Sequence, residues 1–353
     1  MIPVVQADPD LIERAGVINR ITHLAVQGEW DVLSKTIADW EERLESTPGG
    51  ARHHEIAVDA CLAGLRSLLD ETDRTSIASL DRAEREVARF VERHCAAPQD
   101  HILAVLAARA HIMVAASCPA DFWPDADRAD AWRRMAHHYL KAEAILNHFD
   151  AVAFMSPLVA GACYELALGM PDGGTRLRPA FEDWIDLDPS NPEIYATHMP
   201  QLAHFCRDNP DVLLGEALRA EERTDEALGQ AGYALCLIPV LDLAPEMREH
   251  IDTARFGGAL MDMARMSGTQ SEVNWAAAIL DHESQFGSEE RRATIQSAFD
   301  ALVRRNLTVI YPRIWNDELQ NIRARLAETF QRAGTPKVTV GQYYPAQMAS
   351  KAA

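Results

Sequence analysis

The stretch PAFEDWIDLDPSNPEIYATHMPQLAHFCR, residues 179–207, has the pattern of a helix, a tight turn and a second helix. In the turn, Asn191 can cap the second helix and Pro192 can take its first position. Apolar residues recur at helical spacing on both sides of it: Phe181, Trp184, Ile185 and Leu187, then Ile194, Tyr195, Met199, Leu202 and Phe205. Two amphipathic helices joined this closely are antiparallel and need further helices to cover their faces. The stretch therefore predicts an all-α fold of stacked antiparallel helix pairs, with Trp184 buried against the helix that begins near Ile194.

The rest of the chain repeats the helical pattern. A first helix after Asp8 and Pro9 has an apolar stripe that predicts its core-facing side: Leu11, Ile12, Ala15, Ile18, Ile21, Leu24 and Ala25. Residues 101–117 are apolar nearly all round, which predicts a central helix capped by Asp100. Five tryptophans lie at helical spacings and are predicted to be core residues: Trp30, Trp40, Trp132, Trp184 and Trp275.

No Ser/Gly-rich or charged linker interrupts these helices, so we expect a single helical-repeat domain over residues 1–334. The Gly-rich turn makes residues 170–176 the expected seam between two helical halves. Residues 335–353 are expected to form an extended or disordered C-terminal tail.

Composition narrows the function classes. The formal net charge of −19 disfavours nucleic-acid binding, because phosphate contacts need a basic surface. No uncharged run reaches the roughly 20 residues that a membrane-spanning helix needs, and the first residues lack a signal-peptide pattern. The six cysteines are far apart and contain no C-x-x-C pair, which is typical of buried thiols in a reducing compartment. We therefore expect a cytoplasmic protein that binds neither nucleic acid nor membrane.

Two junctions resemble those of tetratricopeptide proteins. They are Gly28-Glu29-Trp30 and the turn from Asp186 to Tyr195. A second likeness lies in the order of residues before that turn: Trp132, Arg133-Arg134, Ala136, Leu140 and Ala142, then a helical pair, then Leu187-Asp188-Pro189. Strict 34-residue units are absent, so the likeness is to degenerate, uncharacterised bacterial helical-repeat proteins and covers residues 96–205. This resemblance implies a TPR-like α-solenoid or compact helical array and a binding role, with no catalytic residues to transfer.

The thirteen histidines raise the question of a metal site. The densest groups are His53-His54-Glu55 and His137-His138 with Glu143, while His198 and His204 are six residues apart. A helical zinc site needs ligands at i and i+4, whereas adjacent histidines point about 100° apart. We therefore predict no metal, and we assign these histidines to ordinary surface or interface positions.

One acidic cluster supports an alternative function. Asp70-Glu71-Thr72-Asp73 resembles the Asp-rich motif with which all-α terpenoid synthases hold Mg²⁺-diphosphate. The second metal motif is missing, since Asn274 lacks the Ser and Glu that should follow it. The alternative is thus an all-α enzyme with a pocket between two helical halves and Mg-dependent diphosphate chemistry at Asp70 to Asp73.

Phe122 and Trp123 are the predicted partner-binding residues. They are the large apolar groups of a loop framed by Pro119 and Pro124, and rigid exposed aromatics are typical interface anchors. The first function hypothesis is therefore a non-enzymatic helical scaffold without cofactor, which binds a protein or peptide through a groove or edge. Oligomerisation is left open.

Overall fold

The computed structural model describes residues 2–71, 77–117, 125–170, 173–206, 209–266 and 268–332, and within these ranges the chain is all-α. Its helices are α1 (Pro9–Gln27), α2 (Trp30–Glu42), α3 (His53–Glu71), α4 (Ile77–Ala96), α5 (His101–Ala116), α6 (Asp125–Leu146), α7 (Ala151–Phe154), α8 (Pro157–Gly169), α9 (Gly173–Leu187), α10 (Pro192–Cys206), α11 (Pro210–Leu228), α12 (Ala231–Leu237), α13 (Thr253–Met266), α14 (Gln270–Glu283), α15 (Glu289–Asn306) and α16 (Leu319–Arg332). The described backbone forms β pairs only as isolated bridges, Val4 with Ile310 and Ser46 with Arg52. The predicted all-α class is confirmed.

Several helix starts follow from capping residues in the sequence. The side chain of Asp100 accepts a hydrogen bond from Leu103 N at 3.1 Å, which caps α5 as predicted. Ser156 accepts from Val159 N at 3.1 Å, and Pro157 takes the first position of α8. Met155, just before this cap, is left-handed with φ 49° and ends α7. Helices α7 and α8 are therefore separate elements.

The described chain divides into two compact units. The N-terminal unit contains residues 14–46 and 52–188, and the C-terminal unit contains residues 189–332 together with 2–13 and 47–51. The division falls between Asp188 and Pro189, within the turn of the stretch 179–207. Helix α8 and helix α9, whose first turn contains residues 173–176, belong to the same unit. The prediction of one domain with a seam near 170–176 stays a prediction.

Helix α5 is the centre of the N-terminal unit. Nearly all of its side chains are buried, and it packs against α3, α4, α6 and α8. The prediction of a central helix at residues 101–117 is confirmed, because an all-apolar helix must be covered on every side.

The predicted core-facing stripe of α1 is wrong in its first half. The buried residues of α1 are Val17, Ile21 and Leu24, whereas Leu11, Ile12 and Ile18 are exposed. The apolar residues of α1 cover more of its circumference than its neighbours bury, so the sequence pattern could not select the buried side.

Trp184 is buried, as expected, at 3% exposure. The sequence paired it with the helix that begins near Ile194, but the structure pairs it with α8, where the rings of Trp184 and Tyr164 are 5.7 Å apart. Beyond the turn, Ile194, Tyr195 and Met199 are buried, whereas the predicted core residue Phe205 is 70% exposed. The stretch thus contributes to two helices, α9 and α10. Trp184 stabilises the packing of α9 against α8.

In the C-terminal unit, Asn274 fixes the segment after α15. Its amide oxygen accepts hydrogen bonds from Tyr311 N at 3.0 Å and Trp315 Nε1 at 2.8 Å. Its amide nitrogen donates to the carbonyl oxygens of Gln270 at 2.6 Å and Val309 at 2.8 Å. All four bonds stay within the protein, so this buried side chain has a structural role.

Candidate functional site

The predicted binding residues Phe122 and Trp123 lie outside the described residues. The chain is described again from Asp125, where α6 begins. The described structure next to this loop is therefore α6, the helix that follows it.

From Arg128 onward, the outward side of α6 consists of two rows of residues spaced by four. The apolar row contains Trp132, Ala136, Leu140 and Ala144, all exposed. Trp132 is 52% exposed and Leu140 is 59% exposed. Because residues at i and i+4 are neighbours on a helix surface, the two large side chains lie in one apolar row, separated by the small Ala136. The prediction that Trp132 is a core residue is wrong, since the opposite side of α6 faces α5.

The second row on α6 is basic. It contains Arg133, His137 and Lys141, and no acidic residue is fully exposed in the described part of this helix from 128 to 146. Asp130 is half-buried and is shared by Arg133 at 3.2 Å and Arg134 at 3.0 Å. The outward side of α6 is therefore apolar and basic in a chain whose net charge is −19.

The neighbouring helix α4 adds exposed arginines at helical spacing, Arg82, Arg85 and Arg89. It also has acidic residues: Arg89 pairs with Glu86 at 2.8 Å, and Glu92 is exposed near the end of the helix. Arg134 joins the two helices, because its Nη1 lies 3.0 Å from Asp81 and 2.8 Å from Glu84. Partial burial opposes the charged form of Arg134, but hydrogen bonds to Asp130 and Asp81 hold its pKa above the ordinary value. We call the outward sides of α4 and α6 together the α4–α6 surface.

A buried histidine pair holds α6 against α5. His111 Nδ1 and His138 Nδ1 are 2.8 Å apart, and His138 Nε2 lies 3.5 Å from Glu84. A proton on His138 Nε2 facing Glu84 leaves His138 Nδ1 as the acceptor and His111 as the donor. Burial, with the neighbouring His138 and His137, lowers the pKa of His111 to about 3. Burial also lowers the pKa of His138, so the contact is made by neutral imidazoles.

A second cluster of ionisable groups surrounds Arg109 on α5. Its Nη1 lies 2.6 Å from Glu55 of α3, and its Nη2 lies 3.3 Å from Glu165 of α8. Burial opposes the charge of Arg109, but the two carboxylates hold its pKa above the ordinary value. Burial raises the pKa of Glu165, against the opposing effect of Arg109. Arg109, Glu55 and Glu165 are far apart in sequence. From the sequence, a single arginine in an apolar helix does not indicate which carboxylates it pairs with.

The side chains of Arg109, Glu55 and Glu165, which we call the Arg109 centre, are closely packed. A Cβ on Gly161 of α8 would lie 2.8 Å from Trp184 Cζ2 and 2.9 Å from Arg109 Nη2. Arg109 Nε and Trp184 Nε1 are buried and have no hydrogen-bond partner. Chemically, this is an ion-paired centre that joins three helices, with a carboxyl group on Glu165 that holds a proton more readily than usual.

The other sequence candidates are dispersed. His54 is fully buried, with its pKa lowered by burial, and His198 is buried with Nε2 3.6 Å from Glu216. Within the described residues, no group of three or more His, Cys, Asp or Glu side chains is placed to hold a metal ion. Of the diphosphate motif, Thr72 and Asp73 lie outside the described residues.

Two grooves of the described surface are open. One in the N-terminal unit, of about 610 Å³, lies beside Lys35, Pro98 and His101, and one in the C-terminal unit, of about 560 Å³, lies between α13 and α15. A third groove, of about 370 Å³ beside Arg176 and Asp183, is more enclosed. At the second groove a Cβ on Gly257 would lie 2.9 Å from Ala298 Cβ, so glycine at this position lets α13 and α15 pack closely. No helix in the part of the chain that the structure describes is long and apolar enough to cross a membrane.

In comparisons with known proteins, no protein-family model, no curated protein and no solved structure matches the chain. The likeness to tetratricopeptide turns rests on the quoted motifs alone. Function must therefore be argued from the surface chemistry of this chain.

Proposed function

We propose that this protein is a non-enzymatic helical binding protein that contacts a protein partner through α6. The observation that carries the proposal is the exposed apolar row of Trp132, Ala136, Leu140 and Ala144. The opposite side of α6 is held by contacts with α4 and α5. Tryptophan is enriched among the residues that contribute most to binding, and a rigid helix loses little entropy when it binds. The predicted residues Phe122 and Trp123 precede α6 in sequence and remain part of the proposal.

The fixed position of α6 supports this function. Arg134 is held by carboxylates of α4, and His138 is held by His111 of α5, so the inward side of α6 is anchored by polar contacts as well as apolar packing. An interface built on such a helix is preorganised. The two open grooves also support a binding role.

The arrangement of neighbouring helices supports a degenerate repeat array. Consecutive helices from α2 to α6 pack against one another in order, as do α8 and α9. Stacking of each helix on the next is how helical-repeat proteins bury their faces. We therefore extend the proposal to a TPR-like array within the N-terminal unit, with α6 as its binding element.

Site-specific photocrosslinking tests the proposal. Benzoylphenylalanine at position 136, on the apolar row of α6, should give a crosslinked product with a partner protein in source cells. The same group at position 63, an exposed alanine of α3, is the matched control. Adding Trp132→Ala and Leu140→Ala should remove the product at position 136. Equal products at both positions, or none at position 136, would contradict a binding function for α6.

A further inference from the structure

We propose that the α4–α6 surface binds an acidic amphipathic helix of a partner protein. This inference rests on the proposed function and specifies the chemistry of the partner. It starts from the contrast between the whole chain, with a net charge of −19, and one surface on which the exposed residues of α6 from 128 onward include no acid.

The shape of the apolar row indicates a helix. Trp132 and Leu140 are two turns apart, and the small Ala136 and Ala144 leave a depression after each of them. A ridge of side chains spaced by four fits the groove between the corresponding rows of a second helix. The exposed row from 132 to 144 covers a length of about 18 Å, which a partner helix of three to four turns would match.

The charges that flank this row select an acidic helix. Arg133 and Lys141 lie along one side of the row, and the exposed arginines of α4 belong to the helix that Arg134 links to α6. A bound helix with leucine-like residues on one side and carboxylates beside them would place opposite charges next to Arg133 and Lys141 of α6 and next to the exposed Arg85 of α4. Complementary charge of this kind contributes to specificity and to the rate of association.

Anionic membranes and nucleic acids are the competing classes of partner. Either one is an extended polyanion that would bring its charge close to much of this acidic chain, with long-range repulsion. A single helix touches the α4–α6 surface alone. The apolar row also has only two large side chains, less than the broad apolar face that a membrane-bound helix inserts.

The test uses the full chain and two synthetic peptides of about 18 residues, long enough for helix formation. Both have the same leucine pattern, and their polar positions are glutamate in one and lysine in the other. Fluorescence anisotropy of the labelled peptides should show binding of the glutamate peptide and a loss of affinity of roughly tenfold or more with Trp132→Ala and Leu140→Ala.

Charge reversal provides the second measurement. Arg85→Glu with Lys141→Glu should lower the affinity for the glutamate peptide and raise the affinity for the lysine peptide. Arg292→Glu with Arg305→Glu, two exposed arginines of α15, makes the same change in net charge and should leave the preference for glutamate unchanged. If both double variants change binding equally, the effect is general electrostatics and the proposed surface is wrong.

The remaining outcomes separate the two levels of the proposal. Binding to phosphatidylserine vesicles or to a single-stranded RNA oligonucleotide that depends on Trp132, without peptide binding, would overturn the acidic-helix partner. A dimer in sedimentation that Trp132→Ala dissociates, without peptide binding, would overturn it in favour of a second copy. A crosslinked partner at position 136 without peptide binding would refute only the acidic-helix chemistry, whereas failure of both experiments would refute the proposed function as well.

Discussion

The Arg109 centre and the outward side of α6 lie in the same unit and depart from an ordinary helical interior in opposite ways. The Arg109 centre buries charge, because Arg109 pairs with Glu55 and Glu165 in a helix that is otherwise apolar. The outward side of α6 exposes apolar area at Trp132 and Leu140. Each arrangement costs free energy relative to the usual one, since burial disfavours charge and water disfavours apolar surface.

This difference separates residues that stabilise the fold from residues that we propose bind a partner. The Arg109 centre is enclosed by Gly161 and Trp184, so changes there should reduce stability. The outward side of α6 contributes little to the packed interior, so changes there should leave stability intact and affect binding. The predictions below test this contrast, beginning with the largest expected effect.

Trp184→Ala should lower the free energy of unfolding by about 3–5 kcal/mol, because the ring is buried against Tyr164 of α8 and its removal leaves a cavity. Denaturant unfolding followed by circular dichroism measures this loss. The matched control is Trp132→Ala on α6. If the two variants were equally stable, the assignment of Trp184 to the interior would be wrong.

Gly161→Ala should lower the free energy of unfolding by about 1–3 kcal/mol, because the new methyl group would overlap both Trp184 and Arg109. Gly64→Ala on α3 is the control, since a Cβ there meets nothing within 4 Å. That substitution should stabilise its helix by up to about 1 kcal/mol. Thermal unfolding of both variants gives the comparison, and a Gly161→Ala protein as stable as Gly64→Ala would show that the Arg109 centre is loosely packed.

Acid should weaken the contact between α5 and α6. The pKa of His111 is about 3 in the folded chain, against 6.5 as its ordinary value, so the unfolded chain binds more protons between these values. Stability is therefore complete above pH 6.5 and falls as the pH drops toward 3, by up to about 1.4 kcal/mol per pH unit. The buried His138, whose pKa is also lowered, acts in the same direction.

His111→Asn tests this assignment, because asparagine can donate a hydrogen bond to His138 but does not titrate. The variant should show a shallower decline of unfolding free energy between pH 6.5 and 4, measured by urea unfolding at several pH values. His23→Asn, at an exposed position of α1, should keep the slope of the parent protein. Identical slopes for all three proteins would show that His111 does not titrate differently on folding.

The sequence predicted the helical fold, but it did not predict which side of each helix is buried. The cap at Asp100 and the central position of α5 follow from local chemistry, and the structure has both. In contrast, Leu11, Ile12 and Ile18 of α1 have the spacing of a core stripe and are exposed. Periodicity shows that a helix is amphipathic, but neighbouring helices decide how much of its apolar side they cover.

The two candidate sites differ in the same way. Arg109, Glu55 and Glu165 could not be joined from sequence, because the tertiary fold alone brings three distant helices together. The α6 surface had a readable signal, since Trp132 and Leu140 are spaced by eight and Arg133, His137 and Lys141 by four. We expected Trp132 in the core because most tryptophans at helical spacing are buried. The basic row beside it, in an acidic chain, is the feature that could have indicated an exposed surface.

The smallest expected change in stability is that of Trp132→Ala. With 52% of the residue exposed, removal of its ring should alter the free energy of unfolding by no more than about 0.5 kcal/mol, as is usual for surface substitutions. Leu140→Ala, at a residue that is 59% exposed, should behave in the same way. Denaturant unfolding of each variant, beside Trp184→Ala, completes the contrast between the interior and the surface. A loss of several kcal/mol from Trp132→Ala would mean that its ring supports the fold, and the apolar row of α6 would then be a structural element without a role in binding. Unchanged stability combined with lost crosslinking at position 136 would separate the two regions by function, because the same chemical change, tryptophan to alanine, would act on folding at one position and on recognition at the other.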